Sequence, residues 1–287
     1  MTKFTLLQPN DPYFSFEKRN CTIVTAYYQV ETRKHSRYEY MEWSKNFMEL
    51  ENPIVLFTSS RLSNLFKTMR GNKQIVIVEL EFEELYTWKK YKNKWIEHHS
   101  LDPEKNIHSP ELYSVWAEKP FFLEKVIEKN YFNTTHFFWC DIGAFRESDK
   151  MYLFKNFPMT NYFQKDKILF LAINPLQETE QNLISTVGRI GAGFFGGDRV
   201  SCLRFKDSYE DTLLHYFIDN RFAGKEQQLM LSTYLKDTSL GFMVKHNVRD
   251  IYIGNDLYVY QDYMWFYLEY VLSGKSIIEY DKSYLNN

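Results

Sequence analysis

Three short apolar runs, separated by segments with helical spacing, constrain the fold of this chain most. The runs are Cys21–Tyr27, residues 53–57 and residues 74–78, and each is almost free of charge and rich in β-branched residues. Continuous apolar runs of this length are typical of strands that are buried on both faces. Residues 38–50 and 60–69 lie between them and have the length and spacing of helices. This order predicts an α/β fold with a mostly parallel sheet and helices on both faces.

A further aromatic run, His136–Cys140, stops abruptly at an acid, Asp141, with Gly143 and Arg146 just beyond it. An acid at the carboxyl end of a strand lies where open α/β sheets bind their ligands. Gly143 allows the backbone to turn or to approach a ligand closely, and Arg146 supplies a cation near the same place. A strand that ends in an ordinary Asp-Gly type turn explains the same residues. The sequence alone leaves both interpretations open.

Residues 188–197 hold five of the 11 glycines of the chain. Such a concentration indicates a backbone that lines a ligand, or a twisted strand and hairpin with glycine bulges. No lysine and hydroxyl pair closes the segment, as a phosphate-binding P-loop would require. No Gly-x-Gly-x-x-Gly follows the first strand either. P-loop and dinucleotide folds are therefore disfavoured.

Residues 81–108 interleave aromatic residues with lysines: Tyr86, Trp88, Tyr91 and Trp95 among Lys89, Lys90, Lys92 and Lys94. Aromatic rings alternating with cations can stack on bases and hold phosphates. We favour the other interpretation, a helix and loop whose lysines cover apolar surface. His98 and His99 are adjacent and poorly placed to share a metal ion.

Composition excludes several classes of protein. The formal net charge is -2 over 287 residues, which gives no general attraction to nucleic acid or to anionic membranes. Three widely spaced cysteines, Cys21, Cys140 and Cys202, indicate buried free thiols in a reducing compartment. The sequence shows neither a signal peptide nor a run of about 20 apolar residues. We therefore expect a cytoplasmic protein with no transmembrane segment, folded as one domain over residues 1–287.

The chain resembles the HtrL/YibB family of bacterial glycosyltransferase-like proteins from about residue 20 to about residue 265. The resemblance rests on six segments in chain order. The first three are the Thr-Ala-Tyr end of the first strand, the helix with Tyr40 and Trp43, and the group Ser109, Trp116 and Lys119. The last three are residues 139–146, residues 191–197 and Gly224-Lys-Glu226-Gln227. It implies a single GT-A-like, Rossmann-like domain with a mostly parallel central sheet flanked by helices. Its nucleotide-binding half would cover about residues 20–150 and its acceptor half about residues 151–270.

The activity that this resemblance implies is transfer of a sugar from a nucleotide diphosphate-sugar to a hydroxyl acceptor, such as a glycan. No nucleic-acid partner is expected for such an enzyme. The alternative is a non-catalytic module that binds carbohydrate or single-stranded nucleic acid. The lysine- and aromatic-rich residues 81–108 are the support for this alternative.

The resemblance also assigns roles to residues. The donor side comprises Thr25, Ala26, Tyr27, Arg33, Lys119, Asp141, Gly143 and Arg146. The acceptor or sugar side comprises Gly193, Gly196, Gly197 and Gln227. Glu226 would face Asp141 across the sugar and act as general base in an inverting enzyme. Asp141 would bind Mn2+ or Mg2+, with His246 as a further ligand, although Gly143 stands where the Asp-x-Asp motif of this class has its second acid.

Overall fold

The computed structural model describes residues 4–7, 20–30, 35–174, 189–245, 251–253, 256–258 and 263–274. Its strands are β1 (Phe4–Leu7), β2 (Cys21–Tyr27), β3 (Ile54–Thr58), β4 (Ile75–Glu79), β5 (His136–Cys140), β6 (Ile168–Ala172), β7 (Ile190–Asp198), β8 (Gly241–Lys245), β9 (Ile251–Ile253) and β10 (Asp256–Tyr258). Its helices are α1 (Arg37–Met48), α2 (Ser60–Arg70), α3 (Tyr86–His98), α4 (Pro110–Ala117), α5 (Lys119–Lys129), α6 (Arg199–Ile218), α7 (Glu226–Lys236) and α8 (Tyr263–Val271).

Eight of these strands form one central sheet in the order β1-β4-β3-β2-β5-β7-β6-β8. The strands β2, β3, β4 and β5 are parallel, and β6 and β8 are parallel to each other. Strand β7 runs antiparallel between β5 and β6, and β1 is antiparallel to β4 at the edge. Six of the eight strands therefore share one direction, which confirms the predicted α/β fold with a mostly parallel sheet flanked by helices.

The two faces of the sheet receive alternate residues of each strand, because successive side chains of a strand point in opposite directions. Val24 and Val55 pack with the apolar residues of α3 to α7 on one face. Ile23 and Ile54 pack with those of α1, α2 and α8 on the other. Burial on both faces explains why these strands are continuously apolar in sequence.

The strand order reverses between β2 and β5. From β2 the chain moves outward through β3 and β4, then returns to place β5 on the other side of β2. Helix α1 follows β2 on one face, and α5 precedes β5 on the opposite face. The two helices thus lie on opposite faces of the sheet. Open α/β sheets bind ligands in the crevice that such a reversal leaves at the carboxyl ends of the strands, here β2 and β5.

Several elements differ from the sequence prediction. Residues 190–198 of the glycine-dense segment form the long strand β7, which pairs antiparallel with β6 with a shift in register. Strands β1 and β8 were not predicted. Helix α6 starts at Arg199, where Asp198 caps it by accepting a hydrogen bond from the Ser201 amide at 2.8 Å. Two helices, α4 and α5, follow Ser109, and Pro120 lies in the first turn of α5.

Helix α3 contains the aromatic and lysine-rich segment. Trp88, Tyr91 and Trp95 are buried in the core, and the ammonium of Lys90 pairs with Glu210 at 2.9 Å. The helix therefore covers apolar surface, and its buried rings are not a stacking surface for bases. This confirms the favoured interpretation of residues 81–108 and removes the support for a nucleic-acid-binding module.

The three cysteines are buried and free, as predicted. Burial raises the pKa of each thiol, to about 12 for Cys202, so they remain protonated and unreactive. Among the helices of the described residues, none combines the length and the apolarity that crossing a membrane requires.

Candidate active site

Lys119, Asp141 and Glu226 meet at the carboxyl ends of β2 and β5, and we call this group the charged corner. The Lys119 ammonium lies 2.9 Å from Asp141 Oδ1 and 2.9 Å from Glu226 Oε1. It also donates a hydrogen bond to the Ala192 carbonyl at 3.1 Å. Three residues that are far apart in sequence thus form one hydrogen-bonded ion cluster.

Each member of the charged corner stands at the end of an element. Lys119 is the first residue of α5 and Glu226 the first residue of α7, so both helix amino termini point at the cluster. Asp141 follows β5 directly, and its amide donates to the Gly193 carbonyl of β7 at 2.9 Å. This bond extends the ladder between β5 and β7 by one residue and fixes the Asp141 backbone. Helix amino termini favour negative charge, which suits both carboxylates and an anionic ligand.

The two carboxylates keep Lys119 charged. Burial by itself would disfavour the ammonium, but Asp141 and then Glu226 outweigh it and raise the pKa of Lys119 above its usual value. A buried ammonium with three acceptors is compensated as buried charges require. Two carboxylates and one ammonium leave the charged corner with one formal negative charge.

Asp141 and Glu226 differ in exposure. The Asp141 side chain is 42% exposed, whereas that of Glu226 is 8% exposed. Asp141 is therefore the carboxylate that a ligand meets first. Both acids bind one ammonium in this arrangement, so they lie close together. That they face each other across a sugar stays a prediction.

Trp139 was not among the predicted site residues, yet it orients Asp141. Its indole Nε1 donates to Asp141 Oδ1 at 2.7 Å, and its ring lies 5.7 Å from the Lys119 ammonium. The spacing of two residues along the strand places Trp139 and Asp141 on the same face. That spacing is the signal in the sequence from which this partner could have been found.

Gly143 lies beneath two aromatic rings of α1. A Cβ at this position would stand 3.0 Å from Tyr40 Cε1 and 3.1 Å from Trp43 Cε3. The rings therefore occupy the space into which the second acid of an Asp-x-Asp motif would project. Helical spacing predicted that Tyr40 and Trp43 belong to one helix face, but not that this face covers residue 143.

Arg146 lies next to these rings. Its guanidinium carbon is 4.2 Å from the centre of the Trp43 ring and 4.6 Å from that of Phe266, and its Nε donates to the Gly143 carbonyl at 3.3 Å. Contacts of this kind attract a cation to the faces of both rings and hold it in place. Arg146 is thus a positioned cation beside Gly143, as the sequence predicted.

The three residues at the end of β2 that were assigned to the donor side are mostly buried. Thr25 is fully buried, and Tyr27 is buried between the rings of Tyr40 and Phe66. Only Ala26 of the three residues is partly exposed. The side chains of Thr25 and Tyr27 therefore lie in the core behind the end of β2, and their assignment to the donor side stays a prediction.

The glycines of β7 divide into two groups. A Cβ on Gly193 would lie 3.4 Å from Asp141 Oδ2, so this glycine borders the charged corner. A Cβ on Gly196 would clash with the Phe137 carbonyl at 2.3 Å, and one on Gly197 with Ser201 Oγ at 2.4 Å. Gly196 and Gly197 are thus required for packing against β5 and α6. Their assignment to the sugar side stays a prediction. Gln227 is partly exposed beside Glu226 on α7.

Two predicted site residues, Arg33 and His246, lie outside the described residues. Their assignment to the donor side and to a metal site stays a prediction.

The comparison with protein families covers most of the elements just described. A family model described as "Bacterial protein of unknown function (HtrL_YibB)" matches residues 19–252. The chain belongs to the HtrL/YibB family. The matched range contains Lys119, Asp141 and Glu226, so the charged corner lies within the HtrL/YibB part of the chain.

Comparison with curated proteins finds no match for this HtrL/YibB chain. Among solved structures, the 4-diphosphocytidyl-2C-methyl-D-erythritol synthase of Anaerococcus prevotii is similar over 77% of this chain and 100% of its own. The sequence identity is 12% and the TM-score is 0.32. Similarity this distant adds nothing to the architecture already described.

A second group of possible metal ligands lies away from the charged corner of the HtrL/YibB chain. One ligand atom each from Asp102, Glu104 and His108 lies within 4.8 Å of the others, as a divalent cation would require. Asp102 already accepts hydrogen bonds from Tyr113 at 2.6 Å and from His108 at 2.8 Å. Glu104 accepts from its ion-pair partner Lys225. These contacts satisfy the group without a metal, and it anchors the residue that precedes Glu226.

Proposed function

We propose that this protein is a glycosyltransferase that moves a sugar from a nucleotide diphosphate-sugar to a hydroxyl acceptor, most simply that of a glycan. The observation that carries the proposal is the position of the charged corner. Asp141, Lys119 and Glu226 gather at the point where the strand order reverses, which is where open α/β sheets bind nucleotides and related ligands. The usual phosphate-binding loops are absent from the sequence, and in this proposal charged side chains hold the phosphates instead.

A divalent cation, Mn2+ or Mg2+, fits the charged corner through Asp141. The corner has one formal negative charge, and a diphosphate would be repelled by it unless a further cation intervened. Asp141 presents an exposed carboxylate, while the rings of Tyr40 and Trp43 fill the place of a second acid. The site thus offers one protein carboxylate, which suffices where phosphate oxygens and water complete the coordination. When bound, such a cation neutralises the charge that grows on the leaving diphosphate.

In the proposed site, Lys119 fixes the positions of the two carboxylates. Its ammonium fixes Asp141 and Glu226 at 2.9 Å each, and Trp139 fixes Asp141 from the other side. Groups held in this way need no rearrangement when a ligand arrives. Arg146, held between its two rings, adds positive charge on the side of Gly143.

Glu226 is the proposed general base if the transfer inverts the configuration of the sugar. Lys119 binds Glu226 Oε1, and the second carboxylate oxygen is the one that we assign to the proton of the acceptor hydroxyl. Gln227, the next residue of α7, would orient the sugar. A positioned base of this kind contributes about 10²–10⁴-fold to the rate.

The test is donor turnover by the wild-type protein and by two isosteric variants. Nucleoside diphosphate release is measured from a panel of nucleotide diphosphate-sugars with MnCl2 and a panel of glycan acceptors. We expect Asp141→Asn to abolish donor binding, and Glu226→Gln to bind the donor normally while turnover falls about 10²-fold or more. Asp149→Asn, at an exposed acid just after the site, is the matched control.

If Asp141→Asn turned over every donor as the wild type does, the proposed function of the charged corner would be wrong. Normal turnover by Glu226→Gln would remove only the role of the base. A protein that bound carbohydrate with no turnover of any donor would support the non-catalytic alternative.

A further inference from the structure

Helix α1 begins at the same edge of the sheet as the charged corner. Ser36 caps it by accepting a hydrogen bond from the Glu39 amide at 3.2 Å, and the Glu39 carboxylate accepts one from the Ser36 amide at 2.7 Å. This capping box fixes the first turn and with it the two residues that follow on the inner face, Tyr40 and Trp43. The first two turns of α1 thus form a rigid border of the crevice.

The Tyr40 ring is held from several sides. Its centre lies 5.3 Å from that of Trp43, 6.1 Å from that of His35 and 6.1 Å from that of Tyr27. Tilted and edge-to-face contacts of this kind fix the orientation of an aromatic ring. Tyr40 is partly buried, so part of its side chain remains accessible.

The edge of the Tyr40 ring next to its hydroxyl lies over Gly143. Cε1, the carbon adjacent to the one that bears the hydroxyl, would be 3.0 Å from a Cβ on Gly143. Tyr40 therefore occupies the place into which a second acid, two residues after Asp141, would project. At this place the chain presents a hydrogen-bond donor instead of a metal ligand.

The charges around Tyr40 keep its hydroxyl a donor. Burial and then Asp141 raise the pKa of Tyr40, against the opposing effect of Arg146 and Lys119. Among the described residues the hydroxyl makes no hydrogen bond, and Tyr40 is only partly buried, so its hydroxyl is free to donate to water or to a ligand. A phosphoryl oxygen bound at the charged corner would be such an acceptor.

We propose that Tyr40 binds the diphosphate of the donor, with its hydroxyl donating a hydrogen bond to a phosphoryl oxygen on the side of Asp141 where a second acid would stand. This inference rests on the proposed function, since it needs a diphosphate at the charged corner. In a site with two acids, the second acid would contact the diphosphate through the metal ion. Here the Tyr40 hydroxyl would contact it directly. Loss of the hydroxyl then weakens the binding of phosphate without removing the ring.

The experiment compares Tyr40→Phe with the wild type by calorimetric titration of ADP, CDP, GDP and UDP in MnCl2, using the tightest binder and its parent nucleoside. We expect Tyr40→Phe to weaken the nucleoside diphosphate about tenfold or more, as for a lost hydrogen bond to a charged acceptor. Affinity for the nucleoside should stay within about twofold, because the ring remains. Tyr38→Phe, at an exposed tyrosine of the same helix, is the matched control and should bind as the wild type does.

The outcomes separate the two proposals. If the wild type bound no nucleoside diphosphate, the proposed function would fail and this inference with it. If the wild type bound one, Asp141→Asn abolished binding and Tyr40→Phe bound as tightly as the wild type, only the role of Tyr40 would fail. An equal loss of affinity for the nucleoside and for the nucleoside diphosphate in Tyr40→Phe would also overturn the role of Tyr40. That result would indicate a changed shape of the site and not a lost contact with phosphate.

Discussion

Lys119 is the residue on which the balance of charge at the site depends. Its side chain is 3% exposed and it is the shared partner of Asp141 and Glu226. Removing one member of a buried ion cluster leaves the others without compensation, and this usually costs more than the cluster contributes. The stability of the fold and the geometry of the site are therefore coupled at this position.

Replacement of Lys119 by methionine should lower the free energy of unfolding by about 3–5 kcal/mol, because two carboxylates would face each other without a cation. Urea denaturation measures this loss. The double variant Lys119→Met/Glu226→Gln should regain part of it, since one carboxylate is then neutral. Lys129→Met, at an exposed lysine of the same helix, is the control. A cost of Lys119→Met below about 1 kcal/mol would contradict the assigned role.

Replacement of Gly143 by alanine should cost about 1–3 kcal/mol of stability, because the new methyl group meets the rings of Tyr40 and Trp43 at 3.0 and 3.1 Å. A double-mutant cycle with Tyr40→Ala tests the cause. If the ring is responsible, the same glycine substitution should cost clearly less in the Tyr40→Ala background. Equal costs in both backgrounds would place the strain elsewhere.

The residues of the site were only partly visible in the sequence. Asp141 was found because an acid ended an apolar run, and Lys119 and Glu226 followed from family resemblance. The contact of Trp139 was missed although its two-residue spacing from Asp141 could have revealed it. The contacts of Tyr40 and Trp43 were missed because spacing shows which face of a helix a residue occupies but not which residue of another element it meets. Gly196 and Gly197 were assigned to the sugar because a glycine required by packing looks the same in sequence as one required by a ligand.

At the scale of elements, Arg70 joins α1, α2 and the strands that follow them. It is buried, and its guanidinium donates hydrogen bonds to the carbonyls of Met48, Leu50 and Asn52 at 2.6 to 2.8 Å and to that of Gln74 at 3.0 and 3.1 Å. Burial lowers the pKa of Arg70 to about 9, so it stays charged at neutral pH. The end of α1 and the turn before β4 are thus tied to a single side chain.

Arg70→Met should lower the free energy of unfolding by about 3 kcal/mol or more, because the three buried carbonyls of Met48, Leu50 and Asn52 would lose this donor. Urea denaturation gives the value, and Arg61→Met, at an exposed arginine of the same helix, is the control. An effect equal to that of the control would show that water replaces the guanidinium at no cost.

Helix α8 carries a buried acid, Glu269, whose Oε1 has no hydrogen-bond partner among the described residues. Burial raises the pKa of Glu269 well above its usual value, with Glu147 adding to the rise and Arg146 opposing it. A carboxyl whose pKa is raised by folding is tolerated while it is protonated. Stability is therefore lost as the pH rises from the ordinary pKa of glutamate toward the raised one.

Glu269→Gln removes this dependence, since the amide stays neutral at every pH. We expect the melting temperature of Glu269→Gln to exceed that of the wild type by an amount that grows as the pH rises above the ordinary pKa of glutamate, about 4.3. Glu128→Gln, at an exposed glutamate, should show no such trend. A difference that does not change with pH would contradict a buried ionisable Glu269.

At the scale of the whole molecule, the sequence predicted the central strands better than the strands at the edges of the sheet. The strand and helix order of residues 20–80 was correct, because strands buried on both faces leave a strong apolar signal. Strand β1 at the sheet edge and strand β8 were missed, since short strands flanked by mixed residues resemble loops. The antiparallel direction of β7 could not be predicted either, because the direction of a strand depends on the path of the chain between strands and not on its local residue pattern.

The central claim is that the charged corner binds the diphosphate of a nucleotide-sugar with the help of a metal ion. The most direct test is the melting temperature of the wild type and Asp141→Asn, with a panel of nucleotide diphosphate-sugars, with and without MnCl2. At about 100-fold excess over Kd, one donor should stabilise the wild type by about 2.7 kcal/mol, or roughly 5 °C, only when Mn2+ is present. Asp141→Asn should show no shift. A shift of equal size in Asp141→Asn, or no shift of the wild type with any donor, would contradict the claim.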